Sequence, residues 1–228
     1  MNVQPRRRVS GTGSGVEATT DVRQATVDAW ALPAGAWPWP LVLRVRPALE
    51  LSEDQFFDLC QINGDLRFER TADGVLEIMP PAGSATGYRN ADITAQLWTW
   101  AKREGTGLAF DSSAGFTLPN GATRSPDASW IARSRWEDVP PERRDRFAPV
   151  CPDFVLELRS PTDRLATLQE KLAEYLANGA RLGWLLDPLH RHVYVYRPGA
   201  PVERLESLES VSGDPVLPGF TLDLREIW

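Results

Sequence analysis

The chain has 228 residues, 42% hydrophobic and 25% charged, with a formal net charge of −6. That is ordinary composition for one well-cored soluble domain with an appendage. It excludes a strongly basic, non-specific nucleic-acid binder, so any phosphate-binding function requires positive charge concentrated in a cleft. No run of ~18 apolar residues is present to span a membrane.

Residues 1–40 read as an N-terminal extension. Arg6-Arg7-Arg8 leads into Gly11-Thr12-Gly13-Ser14-Gly15, which is linker composition and lacks both the apolar segment of a signal peptide and the Gly-Lys-Ser/Thr of a phosphate loop. Cys60 and Cys151 are isolated cysteines without metal-ligand spacing, as expected for packing residues in a reducing cytoplasm. The expected location is cytoplasmic.

The domain proper is expected over residues 41–228. Ser52 is a natural N-cap for a helix over 52–60, with Glu53 and Asp54 at its positive end and Phe56, Phe57, Leu59 and Cys60 as its apolar face. Alternating Leu66-Arg67-Phe68-Glu69 and Val75-Leu76-Glu77-Ile78-Met79 predict a hairpin. A longer helix is predicted over 88–103, with Ile93, Leu97 and Trp100 on one stripe and Gly105 past its end. Short strands follow within 108–118 and 124–131 around the turn Pro119-Asn120-Gly121, and then a polar loop over 137–147.

A strand ending at Ser160-Pro161 holds Phe154 to Leu158. A helix over 163–177 with Asp163 as N-cap comes next, then a hairpin of Leu182–Asp187 and His192–Tyr196, and a tail with a short terminal helix. Helices and strands mix without strict alternation, the pattern of an α/β fold of α+β character.

Two carboxylates stand out. Glu157 interrupts the apolar run Phe154 to Leu158, and Asp127 follows Pro126 and precedes the strand-like Ala128 to Ala132. A carboxylate in a buried strand costs several kcal/mol unless a cation or metal compensates it. Two readings remain open: an ion pair with Arg159 or Arg124, or a divalent-metal site. Glu157 and Arg159 share a strand face, the spacing of a Glu-x-Lys motif with arginine in the lysine position. Lys171 lies at the edge of the apolar stripe Leu165, Leu168, Leu172, Tyr175 and Leu176. From there it either reaches Glu157 over the sheet or snorkels and pairs with Glu174. Trp98, Trp100, Trp130 and Trp184 read as core or rim packing rather than a base-stacking platform, and His190 and His192 as a hairpin-surface pair.

From about Leu41 to Trp228 the chain resembles the Uma-type (Uma-two) restriction endonuclease family of the PD-(D/E)XK nuclease superfamily. The resemblance rests on 65–74, on Gly115 through Ala122, on Arg124-Ser125-Pro126-Asp127-Ala128-Ser129-Trp130, on Cys151 to Asp163, on Lys171 through Tyr175, and on Asn178 through Pro188. It implies a restriction-endonuclease-like core, a central mixed sheet flanked by helices. Asp127 and Glu157 would be metal ligands, and Lys171 would stand in for the motif lysine. Glu69 would add a ligand or orient a water. Arg159 departs from the pattern; arginine neutralises phosphate charge but is too basic to exchange protons usefully, so the catalytic reading depends on Lys171.

The implied activity is Mg²⁺- or Mn²⁺-dependent hydrolysis of nucleic-acid phosphodiesters, with DNA as the expected substrate and Arg159 and Arg124 as substrate-binding cations. Cutting two strands would call for a homodimer. The alternative is a catalytically inactive nucleic-acid-binding or interaction module that retains the fold.

Overall fold

The computed structural model describes residues 40–228, and the extension expected over 1–40 therefore lies, except for Pro40, outside the described residues. A first strand, β1 (Leu41–Leu43), precedes α1 (Glu53–Ile62). Ser52 caps α1 with a reciprocal box: its hydroxyl accepts from the Gln55 N–H, and the Gln55 side chain accepts from the Ser52 N–H. Of the apolar face, Phe56 alone is fully buried.

The predicted hairpin forms from β2 (Arg67–Arg70) and β3 (Leu76–Met79), with Glu69 directly opposite Glu77. Helix α2 (Ser84–Glu104) starts four residues before the predicted position, because Gly83 already supplies the extended N-cap after Pro80-Pro81. It ends at Gly105, whose φ of 68° is the left-handed conformation that favours glycine.

The strand-rich stretch after α2 divides between two sheets. β4 (Gly107–Asp111) and β7 (Ala128–Ala132) pair in one, while the short β5 (Phe116–Thr117) and β6 (Thr123–Arg124) pair in the other. A short α3 (Arg133–Glu137) and one 3₁₀ turn occupy the polar segment. β8 (Phe154–Leu158), α4 (Leu165–Ala177) and β9 (Leu182–Asp187) form a βαβ unit whose strands are parallel. Antiparallel β10 (His192–Tyr196) and β11 (Glu203–Glu206) follow, and then the small pair β12 (Ser210–Ser212) and β13 (Thr221–Asp223).

Two expectations are corrected. Asp163 does not cap α4: its carboxylate accepts from the Ser160 N–H at 2.7 Å, bracing the turn after β8, and Arg164 occupies the cap position without a side-chain bond. The tail forms β13 and a closing turn rather than a helix, because Leu222 pairs with Val211 and the Asp223 N–H donates to Gln96 of α2.

The larger sheet is mixed, in the order β11-β10-β9-β8-β7-β4, and the smaller runs β1-β3-β2-β6-β5. Alternation along β8 divides the core. Phe154, Leu156 and Leu158 face α2 and the C-terminal segment, while Val155 faces α4. Glu157 follows Val155 on the α4 side. The chain crosses from the small sheet to the large one between β6 and β7, through Ser125-Pro126-Asp127, which brings residues of both sheets under α4.

Gly183 on β9 sets how closely α4 approaches. A Cβ there would stand 2.7 Å from Leu172 and 3.2 Å from Leu176, both on α4. Gly183→Val should therefore lift the helix and lower stability by about 1–3 kcal/mol, the usual cost of overpacking, read as a lowered urea midpoint at unchanged m value.

Candidate active site

Four elements from the two sheets and α4 place their charged residues in one buried cluster. β2 contributes Glu69, β6 Arg124, the β6–β7 crossover Asp127, and β8 Glu157. From α4, Lys171 extends its ammonium between two carboxylates, 2.8 Å from Glu69 Oε1 and 2.9 Å from Glu157 Oε1. It does not pair with Glu174, whose carboxylate accepts instead from Arg124 Nε at 2.6 Å. Tyr175, one turn beyond Lys171, donates its hydroxyl to Glu157 Oε1 at 3.2 Å.

Like charges opposite one another on paired strands repel, and Glu69 faces Glu77 across the hairpin. Arg124 resolves this, with Nη1 3.1 Å from Glu69 and 2.5 Å from Glu77. The Ser125 N–H adds a third donor to Glu69. Asp127 is held by the Leu158 N–H at 2.8 Å and by Asn90 of α2 at 3.2 Å, and Arg67 stands 3.9 Å away.

This placement pushes the carboxylates in opposite directions. Burial raises the pKa of Glu69, but Lys171 and Arg124 outweigh it and bring it down to about 2. Burial also raises Glu157. Lys171 opposes that, but the negative charges of Asp127 and Glu69 add to it, and the group ends at about 7. Asp127 is likewise raised, by burial that Arg67 and its hydrogen bonds only partly offset. Lys171 is raised: burial works against its charge, but Glu157 and Glu69 prevail and hold it as the ammonium.

Asp127 and Glu157 are thus the under-neutralised carboxylates of the cluster, and Glu157 Oε2 makes no hydrogen bond among the described residues. Two oxygen donors short of positive charge fit a hard divalent cation, while Glu69, saturated by Lys171, Arg124 and a backbone N–H, does not. Among the described residues no group of three or more His, Cys, Asp and Glu forms a ready-made cage. Mg²⁺ does not need one; it is commonly held by one or two carboxylates, with waters and substrate phosphate completing the shell.

Of the residues singled out from sequence, Glu69, Arg124, Asp127, Glu157 and Lys171 meet. Arg159 does not join them. Its guanidinium pairs with buried Asp187 at 2.8 Å and lies 3.5 Å from His190. Arg124 is internal, a counter-ion to three glutamates. Sequence reasoning did not single out Arg67, Asn90 or Tyr175. Two of these carried a signal: Arg67 shares a strand face with Glu69 at i−2, and Tyr175 a helix face with Lys171 at i+4. Nothing marks Asn90 in the sequence.

A family described as "Uma2: Putative restriction endonuclease" matches residues 53–225. The chain belongs to this family. Among solved structures, the fold is similar to that of "a putative nuclease belonging to DUF820" from Anabaena variabilis. The TM-score is 0.63 at 20% identity, over 78% of this chain and 97% of the other. No curated protein matches.

The depressed Glu69 predicts a stability signature. A carboxylate at about 2 when folded, against an ordinary 4.5, stabilises fully above pH 4.5, and this is lost as pH falls towards 2. The contribution is about 3 kcal/mol, since one pKa unit corresponds to ~1.4 kcal/mol. The stability difference between wild type and Glu69→Gln should shrink by about that amount between pH 5 and 2, as measured by urea denaturation at each pH.

Proposed function

We propose that residues 41–228 form a metal-dependent endonuclease domain that hydrolyses nucleic-acid phosphodiester bonds, with DNA as its substrate. The observation that carries this reading is the inward Lys171, which joins Glu157 beside Asp127 and so completes the Asp, Glu and Lys set from three separate elements. A solvent-facing lysine would have left Glu69 and Glu157 without the cation they share.

Asp127 and Glu157 would hold the cation, Mg²⁺ or Mn²⁺ given donors that are all oxygen. Five carboxylates (Asp127, Glu157, Glu69, Glu77 and Glu174) meet three cations (Arg67, Arg124 and Lys171), a formal excess of two negative charges that one divalent ion would offset. The bound metal would supply Lewis-acid stabilisation of charge developing on the phosphoryl oxygens.

The chain's own groups divide the remaining work. Lys171, fixed as the ammonium, donates hydrogen bonds to orient the attacking water and offsets charge in the transition state; with a raised pKa it is not the base. Glu69 holds Lys171 in place, and Tyr175 holds Glu157. The phosphate-facing role expected of Arg159 and Arg124 falls more naturally to Arg67, which stands beside Asp127 and is partly exposed. Family membership and the nuclease-like fold support the reaction class; the clustered site supports an active member over an inactive module.

The test is a cleavage assay on supercoiled plasmid, single-stranded DNA and RNA with Mg²⁺ or Mn²⁺. EDTA should abolish cleavage, and Asp127→Ala, Glu157→Ala and Lys171→Ala should each slow it by about 10²–10³-fold or more. Cleavage at near-native rate in Asp127→Ala would contradict the assignment.

A further inference from the structure

An open surface groove of about 620 Å³ runs along α2 beside the site. Gly87, Ala91, Ala95 and Trp98 line it at spacings of four, four and three residues, and so share one helix face. A solvent face of a helix ordinarily carries long polar side chains. Here three of these positions are minimal, and an added Cβ at Gly87 would meet nothing within 4 Å.

The groove carries chemistry as well as space. Asn90 and Arg67 line it and also contact the Asp127 carboxylate, and Asp111 adds one acidic group to the lining. Asn90 Oδ1 and Arg67 Nε have no hydrogen-bond partner among the described residues. Further along α2, the Trp98 ring is 52% exposed, whereas Trp100, Trp130 and Trp184 are buried in the core. The Lys102 ammonium sits over the Trp98 ring, 5.3 Å from its centroid. An exposed indole with a cation beside it can stack a base and attract its phosphate.

We propose that this groove binds a single-stranded segment of the nucleic-acid substrate, flanking the bond to be cut. The small α2 face admits the sugar–phosphate backbone, Trp98 stacks an unpaired base, and Arg67 takes the phosphate nearest Asp127. Stacked duplex bases have no free face for Trp98, so the groove favours single-stranded or locally opened substrate. This rests on the nuclease reading for its choice of occupant and goes beyond it in naming the strandedness of the substrate.

The experiment measures binding and cleavage separately on the full chain. Fluorescein-labelled oligonucleotides, DNA and RNA, single-stranded and duplex, are titrated by anisotropy with Ca²⁺ in place of Mg²⁺, and cleavage is followed with Mg²⁺. Wild type should prefer single strands. Trp98→Ala should weaken single-strand binding about tenfold or more, and Trp98→Phe should retain most of it. Gly87→Leu should fill the groove, weaken binding comparably and leave the melting temperature unchanged or raised, since leucine favours helix over glycine.

Binding lost on Trp98→Ala and Gly87→Leu, with no cleavage by any form, would uphold the groove and sink the nuclease reading. Cleavage with equal affinity for both strand states, unchanged in these variants, would overturn the groove and leave the nuclease reading standing. Neither binding nor cleavage by wild type would overturn both.

Discussion

The ammonium of Lys171, buried between Glu69 and Glu157, is the contact on which the rest of the site depends. It joins α4 to a strand of each sheet. A buried charge is tolerated only when paired, and removing one partner of such a pair costs ~3–5 kcal/mol through the charge left behind. The network is therefore interdependent: Arg124 keeps Glu69 and Glu77 compatible, Glu69 helps hold Lys171 inward, and Lys171 partly neutralises the Glu157 that strand alternation turns towards α4. Close approach of α4 at Gly183 and the short crossover through Ser125-Pro126-Asp127 are what bring these groups within reach.

The cluster also separates neutralised charge from under-neutralised charge. Glu69 is neutralised on every side and behaves as a fixed anion. Glu157 and Asp127, with the same chemistry, are left wanting a cation because Lys171 is shared and Arg67 stands at 3.9 Å. Two carboxylates with divergent ionisation in one pocket are a common sign of divided roles. On the proposed reading Glu69 supports and positions, and Asp127 and Glu157 would hold the cation.

Much of this was legible in the sequence. Glu157 announced itself as a carboxylate in an apolar strand, and the i+2 and i+4 periodicities could place single residues on faces. What periodicity cannot give is the partner across a long loop. Lys171 could equally have snorkelled to Glu174, and only the packing of α4 over β9 settles that Glu174 is taken by Arg124 instead. Arg159 looked suited to phosphate because it follows Glu157 at i+2, but the β8–β9 pairing brings it to buried Asp187. Asp163 had the chemistry of an N-cap, and the adjacent Ser160 N–H competed for it. Trp98 resembled its three buried neighbours in sequence; exposure alone distinguishes it.

The central claim is that Asp127 and Glu157 together form a divalent-cation site, and calorimetric titration of Mn²⁺ tests it most directly. The account predicts one ion per chain, with a proton released on binding below about pH 7 as Glu157 ionises. It also predicts loss of binding in both Asp127→Asn and Glu157→Gln, while Glu203→Gln, exposed on β11 outside the cluster, retains it. Binding of the same affinity in Asp127→Asn, or no binding by the wild-type chain at millimolar Mn²⁺, would contradict it.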